Sequence, residues 1–437
     1  MKDFTDVTAC VVDFGMCGVP MAERLSRKPN GLKKVYLFQE YEEDYTTLNR
    51  AIQGDGFSQF ERATDIWAIK DEVDLFVFPD VQRSGLQLEL ERQGKAVWGS
   101  KDGDCFELDR ELFLRTLKDV GLEVPPHEVV VGLNALRTYL KDKEDQYIKV
   151  SLYRGSFETT HFRDWTLDEH LLDLLATRLG PAKELIRFLV FPNIDTPLEI
   201  GCDTYHVDGQ WPQKAIHGVE WKDRSYLGVV TDFQSLPKQL RSTLKLFGPE
   251  LAKYCYRNQF SCEVRVKGDK FYFIDATCRM GLPSTASQLE LWRNWPEIVW
   301  HGANGELVQP EPTAKFCAEA IITVKRDQSE WAIFDVPKEL ARWTKFASCF
   351  EYEGSVCFPA DDSGSGDDVG WLVATGDTIE DVIKNINKHA DDLPDGMDAN
   401  TETLAYVVKE IQTEIRSGIH FGDEGVKVPK PGFVMEI

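Results

Sequence analysis

"FYFIDATCRMGLP", residues 271–283, is the stretch on which the reading of this chain turns. An apolar run ends in an acid, Asp275. Thr277 and Arg279 follow on alternating positions, then Gly281 and Pro283. Strand alternation puts Phe271, Phe273, Asp275, Thr277 and Arg279 on one face. The preceding run "FSCEVRV" (260–266) reads as the other arm of a hairpin turning at Gly268-Asp269, with Ser261, Glu263 and Arg265 sharing a face. Glu263 and Asp275 then point into the same space from neighbouring strands. Two carboxylates brought together repel, and each raises the other's pKa. A cation between them removes the conflict, and oxygen-only donors suit Mg²⁺ held partly by phosphate oxygens and water. Arg279 then stands near the same phosphates as a fixed, forked donor. The plainer reading is a surface hairpin whose charges pair with each other. Phe271, Phe273 and Ile274 speak against free exposure.

Length and charge bound the rest. A chain of 437 residues allows roughly two to four domains. A net charge of −23 argues against a groove for nucleic acid, which needs a basic footprint. The ten cysteines are irregularly spaced, which suggests reduced thiols and a cytoplasmic protein. No apolar run approaches the ~20 residues of a membrane helix. The start, MKDFTDVTAC, is too polar for a signal peptide.

Outward from the hairpin, residues 1 to 105 alternate strand and helix patterns. "TACVVDFG", "KKVYLFQE", "VDLFVFPD" and "KAVWGS" read as strands, with "CGVPMAERLSR" and "LQLELERQG" as helices between them. That order implies a parallel sheet with helices on both faces. Ligands bind such sheets beyond the carboxyl ends of the strands, where Gly15, Gly18 and Asp80 stand. Tight turns alone also explain the two glycines. Further on, "RELFLRTLKDVG" reads as a helix, and "QYIKVSLYRGSFETTHF" as strand, loop and strand. Lys149 stands inside the apolar part of that first strand, so it must reach solvent or meet an anion. The loop "YRGSFETT" can cover phosphates with N–H groups and hydroxyls, or serve as an ordinary connection. "PLEIGCDTYHVDGQWPQKAI" reads as a hairpin turning at Asp208-Gly209. "GWLVATGDTIEDVIKNINKHADDL" reads as a strand and an amphipathic helix capped by Thr378 or Asp377. "ADDSGSGDD" (360–368) reads as a solvated loop.

With these pieces in place, the hairpin resembles the metal-binding hairpin of the ATP-grasp superfamily. Those enzymes place one acid on the first strand. About a dozen residues later come an acid, an asparagine and an arginine spaced by two. Glu263 precedes Asp275 by twelve positions, and Asp275, Thr277 and Arg279 fill the later three places. Gly281 and Pro283 match the R-x-G-x-P continuation of the glycinamide ribonucleotide synthetase (phosphoribosylamine–glycine ligase) branch. The likeness runs along most of the chain. Arg110 stands at the place of a phosphate-contacting lysine, and Lys149 at that of the nucleotide-binding lysine. "YRGSFETT", with Arg154 and Ser156, stands where the phosphate loop belongs. "LVFPNI", with Leu189 and Phe191, stands at the linker whose backbone meets adenine. There are departures. "GMCGVPMAERL" replaces the branch's Gly-Gly-Arg-Glu-His run, the phosphate loop is poor in glycine, and Thr277 replaces asparagine.

The resemblance implies an α/β (in part α+β) ATP-grasp fold. A Rossmann-like parallel-sheet domain (1–105) would hold the acceptor, 106–310 would bind ATP and Mg²⁺, and a small α+β domain would follow (311–437). It implies an ADP-forming carboxylate–amine ligase with a changed acceptor, acting on small molecules as a monomer or homodimer, away from membranes. Glu263, Asp275 and Thr277 would be the metal ligands. Lys149, Arg110, Arg154, Ser156, Leu189, Phe191, Glu199 and Lys222 would meet ATP, with Lys214 and Arg224 also within the same wall. Arg279 and Lys149 would be catalytic, and Gly15, Gly18, Asp80 and Arg279 would hold substrate. The alternative is a nucleotide-binding regulatory or scaffold protein that has lost the chemistry.

Overall fold

The computed structural model of the chain describes residues 2–13, 16–39, 52–150, 159–195, 198–281, 283–325, 331–347, 349–359, 368–423, 425–430 and 432–436. Gly15, Arg154, Ser156 and residues 360–367 lie outside the described residues. The chain divides into two compact units. One comprises Met1–Gly103, Ile200–Cys262 and Thr277–Ile437, the other Asp104–Glu199 and Glu263–Ala276.

The first unit contains a parallel sheet in the order Glu61–Ala63, Lys34–Gln39, Thr8–Asp13, Leu75–Val77, Ala96–Trp98. Thr8–Asp13 is buried along its whole length, as the centre of a parallel sheet covered on both faces should be. Its alternate residues part to two apolar clusters. Ala9 and Val11 join Leu37, Leu75 and Val77, while Cys10 and Val12 join Tyr36, Phe76 and Val97. The chain then turns into the helix Gly18–Ser26, and Gly18 donates its N–H to Asp13 Oδ2 at 2.7 Å. A Cβ on residue 18 would lie 2.7 Å from the Asp13 Cβ, so the close approach requires glycine.

A second, mostly antiparallel sheet runs in the order Lys270–Thr277, Arg257–Lys267, Leu198–Val207, Lys214–Trp221, Ser225–Asp232, Phe316–Val324, Asp368–Gly376, Thr344–Phe346. Met397–Ala399 also pairs with Phe316–Val324. The helix Ile379–Asp391 buries Val382, Ile383 and Ile386 and starts at Thr378, whose Oγ1 accepts the Asp381 N–H at 3.0 Å. This is the cap and spacing expected from the sequence.

One short helix of this unit, Thr285–Leu291, is fixed by charge. Its Glu290 side chain is 1% exposed and accepts Arg27 on both oxygens, at 2.7 and 2.8 Å. Arg342 Nε and Lys345 Nζ each reach it at 2.7 Å, and Lys345 is fully buried. Arg24 donates to the carbonyls of Leu289, Trp292 and Arg293, at and just beyond the end of the same helix. All ten cysteines are free thiols. Eight are buried, Cys105 is half-buried and Cys255 is exposed. Among the described residues no helix is long and apolar enough to cross a membrane.

The second unit is built on an antiparallel sheet in the order Glu128–Val131, Arg187–Pro192, Gln146–Val150, Thr159–Phe162. Ile148, Val150, Phe162, Phe188 and Val190 pack one face against Leu133, Leu136 and Leu140 of the helix Leu133–Leu140 and Leu172, Leu175 and Leu179 of the helix Trp165–Leu179. Alternation therefore turns Tyr147 and Lys149 to the other face.

Candidate active site

The helix Arg110–Asp119 begins at Asp109, whose carboxylate accepts the Leu112 N–H at 3.0 Å. That cap fixes the backbone at Arg110, the first helical residue. Arg110 and Phe113 lie three apart on one helix face, and Phe273 and Asp275 lie two apart on one strand face. The two faces meet in register. Phe113 and Phe273 pack edge to face at 5.0 Å, and Arg110 Nη1 meets Asp275 Oδ1 at 2.6 Å. Lys149 Nζ lies 3.7 Å from the other oxygen, Asp275 Oδ2. The side chains of Arg110, Lys149 and Asp275 are 4%, 18% and 26% exposed, so two cations converge on one half-buried acid.

The strand of Lys149 also meets the first hairpin strand. Tyr147 shares its sheet face, and Arg265 stands 5.9 Å from the centre of the Tyr147 ring. Arg265 Nε donates to Glu199 Oε2 at 2.7 Å, and Glu263 lies close enough to favour its positive charge. Arg265 and Asp275 thus address the same sheet face, and Glu263 shares a strand face with Arg265 by alternation. In register, Leu189 is opposite Lys149 and Phe191 is opposite Tyr147. Leu189 is fully buried, and Phe191 lies 5.7 Å from the His127 ring.

Carboxylates such as those of Glu263 and Asp275 are the ligand type that a hard divalent cation takes. Glu263 and Asp275 supply carboxylate oxygens, and such an ion needs only one or two of these when phosphate completes its shell. No group of three or more acidic, histidine or cysteine side chains able to hold a metal occurs among the described residues. A protein-only cage is therefore not present there.

Within the first unit, Arg279 Nε lies 3.5 Å from Asp80 Oδ1, with the two side chains 20% and 12% exposed. The loop after Asp80 carries Gln82 and Arg83 at φ +73° and +61°. Two successive left-handed residues without glycine are a costly conformation, held here by surrounding bonds. Met280 N–H donates to the Pro79 carbonyl at 2.8 Å, and Gln87 Nε2 to that of Gln82 at 3.1 Å. Thr277 ends the strand that carries Asp275. Lys214, Lys222 and Arg224 stand along the hairpin 214–232 in surface ion pairs with Asp232, Glu220 and Asp368.

A buried polar cluster of the same unit went unnoticed in the sequence. Asp203 accepts the hydroxyls of Tyr226, Ser261 and Ser284 at 2.6, 2.5 and 2.7 Å. Tyr226 reaches it across the intervening strand because residue 218 is glycine. A Cβ there would lie 2.0 Å from the Tyr226 hydroxyl. Gly218→Ala is expected to push the ring away and take one of its three hydroxyl donors from Asp203. The expected cost is about 2–4 kcal/mol from overpacking and the lost buried bond, read as a fall in urea midpoint. Glycine at mid-strand was the available signal.

Glu319, fully buried, accepts the Ser287 N–H at 2.6 Å. Burial pushes its carboxyl up to about 7, against the pull of donors from Ser287 and Ser284. The folded chain then holds a proton that the unfolded chain, near 4.5, gives up. This contribution is fully present below 4.5 and is lost as pH rises through about 7. Stability of the wild type relative to Glu319→Gln should fall over that window, by at most about 1.4 kcal/mol per pH unit. Urea midpoints of both proteins at pH 5 and 8 check this; parallel midpoints would contradict it.

No protein-family model matches the sequence, and no curated protein matches it. Solved structures do resemble it in fold. Phosphoribosylamine–glycine ligase from Thermotoga maritima is 15% identical, with 90% of this chain and 99% of that one covered and a TM-score of 0.66. The biotin carboxylase domain of Hydrogenobacter thermophilus 2-oxoglutarate carboxylase, solved with MgADP, ADP and bicarbonate, is 11% identical. It covers 98% of this chain and 97% of that one at 0.63. L-amino acid ligase from Bacillus licheniformis is 14% identical, covering 89% and 98% at 0.56. The parallel sheet, the antiparallel sheets and these likenesses together show that the chain has the ATP-grasp fold.

Proposed function

We propose that this chain is an ATP-dependent carboxylate–amine ligase that forms an amide through an acylphosphate. It would join a glycine-like amino acid to an amine on a nucleotide-like or other small molecule. The observation that carries the reading is the convergence of Arg110 and Lys149 on Asp275, with Glu263 on the neighbouring hairpin arm. Two cations on one acid, with a second acid on the neighbouring hairpin arm, suit a polyphosphate and its counter-ion. The ligases and carboxylase of similar fold support the same class.

In this reading Lys149 and Arg110 bind the phosphates, and Leu189, Phe191 and Glu199 border the base and sugar. Glu263 and Asp275, with Thr277, would hold Mg²⁺, which neutralises charge developing on the transferring phosphoryl group. Arg279 orients the substrate carboxylate. One carboxylate oxygen attacks the γ-phosphorus and the bond to ADP breaks. The amine nitrogen then attacks the acyl carbon, phosphate leaves, and the nitrogen loses a proton to water. Residues 1–105, with Gly18 and Asp80, would hold the amine. Arg154, Ser156 and Lys222 keep the nucleotide-contacting roles that the resemblance gives them.

Pooled amino acids and pooled amines, with ATP and Mg²⁺, test the proposal. ADP that forms only with both pools, and a product mass equal to a dehydrated pair, is the expected result. AMP in place of ADP would overturn the acylphosphate. Thr277, standing where asparagine is usual, favours the second reading of a binding protein without chemistry. Thermal stabilisation by ATP with no product in any pool would support that reading.

A further inference from the structure

Asp275 cannot serve a metal in the arrangement described. Oδ1 is 2.6 Å from the Arg110 guanidinium and Oδ2 is 3.7 Å from the Lys149 ammonium. A divalent ion on either oxygen would sit against a positive charge. Arg110 cannot lose its proton to relieve this. Nor can its backbone retreat, because Asp109 caps the helix at Arg110 and Phe113 is packed on Phe273. The guanidinium itself can swing about its own side-chain torsions. A phosphate offers it a forked partner of higher charge than a carboxylate.

We infer that Arg110 gates the metal seat. In the arrangement described it caps Asp275, and a phosphate that draws it away hands the carboxylate to the cation, so metal and nucleotide binding are coupled. This rests on the reading of Glu263 and Asp275 as cation ligands. Coupling of this kind is reciprocal: whatever factor nucleotide adds to metal affinity, metal adds to nucleotide affinity. In this scheme Arg110 exchanges Asp275 for the nucleotide phosphate. Lysine at this place would be a mobile point charge and a weaker cap.

Mn²⁺ titration of the full chain, followed by electron paramagnetic resonance, tests this without turnover. The nucleotide-free wild type should bind no Mn²⁺ at submillimolar concentration. Arg110→Gln, checked for folding by circular dichroism, should gain Mn²⁺ affinity at least tenfold, and Asp275→Asn in the same chain should remove the gain. Should Arg110→Gln not fold, the wild type alone decides. Nucleotide-free Mn²⁺ binding that Asp275→Asn abolishes overturns the gate, as does a folded Arg110→Gln with no gain. A wild-type titration with a non-hydrolysable ATP analogue separates the two failures. Asp275-dependent Mn²⁺ there, with no gain in Arg110→Gln, defeats the gate alone. No Asp275-dependent Mn²⁺ under any condition defeats the metal reading itself.

Discussion

Asp275→Asn is expected to lower kcat/KM for ADP formation by roughly 100- to 1,000-fold, the cost of losing one preorganised electrostatic partner in the transition state. Asparagine keeps the shape of the side chain and one acceptor for Arg110, so the fold should survive, as an unchanged circular dichroism spectrum would show. The loss should fall mainly on kcat, because the charge is needed where phosphoryl charge develops. Glu263→Gln should lose activity in the same direction. Steady-state ADP release with each variant is the measurement. Full turnover in either would remove that residue from the metal assignment. Arg265, which binds Glu199 beside the same sheet face, offers a contrast. Arg265→Leu should change the KM for ATP more than kcat, since it touches no reacting atom in the proposed scheme.

The largest effect on stability is expected at Glu290. Burial pushes its carboxyl up, but Lys345 and Arg27 outweigh that and bring it down to about 2. Glu290→Leu would leave Arg27, Arg342 and the fully buried Lys345 without their shared carboxylate. Breaking a buried pair in this way costs about 3–5 kcal/mol. Urea unfolding of the variant measures it, and a loss below 1 kcal/mol, on the order of an exposed pair, would contradict the burial. The pH signature has a fixed sign. An acid depressed in the folded state stabilises above its unfolded value of 4.5, and this contribution drains away as pH falls towards 2. Removing Lys345 as well, as Glu290→Leu with Lys345→Met, should recover part of the loss, because the stranded charge goes with it.

The hairpin 257–277 and the parallel sheet of the first hundred residues were legible because their signals are local. Period-two alternation, a Gly-Asp turn and runs broken by glycine need no knowledge of distant residues. The same holds for the helix Ile379–Asp391 and its threonine cap. What joins the site together was not local. The bond between Arg110 and Asp275 spans 165 positions of the chain, and nothing around Arg110 announces its partner. The sequence left Lys149 with two outlets, solvent or an anion. Its position opposite Asp275 follows from the sheet face turned away from Ile148 and Val150, which only the packing of two helices decides. Asp203 was invisible for a related reason. Its partner Tyr226 reaches it only because the strand between them carries glycine at position 218. Glu290 draws its cations from residues 27, 342 and 345, which no reading along the chain would group.

The thiols give the chain a built-in clock. Burial pushes the thiols of Cys10, Cys202, Cys317 and Cys349 up, away from the reactive thiolate form. Cys255 alone is exposed. A thiol-specific reagent added to the native protein should therefore consume Cys255 at once, follow with half-buried Cys105, and then wait. Each later sulfur can react only when its own neighbourhood opens, so alkylation read peptide by peptide would time the opening of the parallel sheet through Cys10 and of the antiparallel sheet through Cys317.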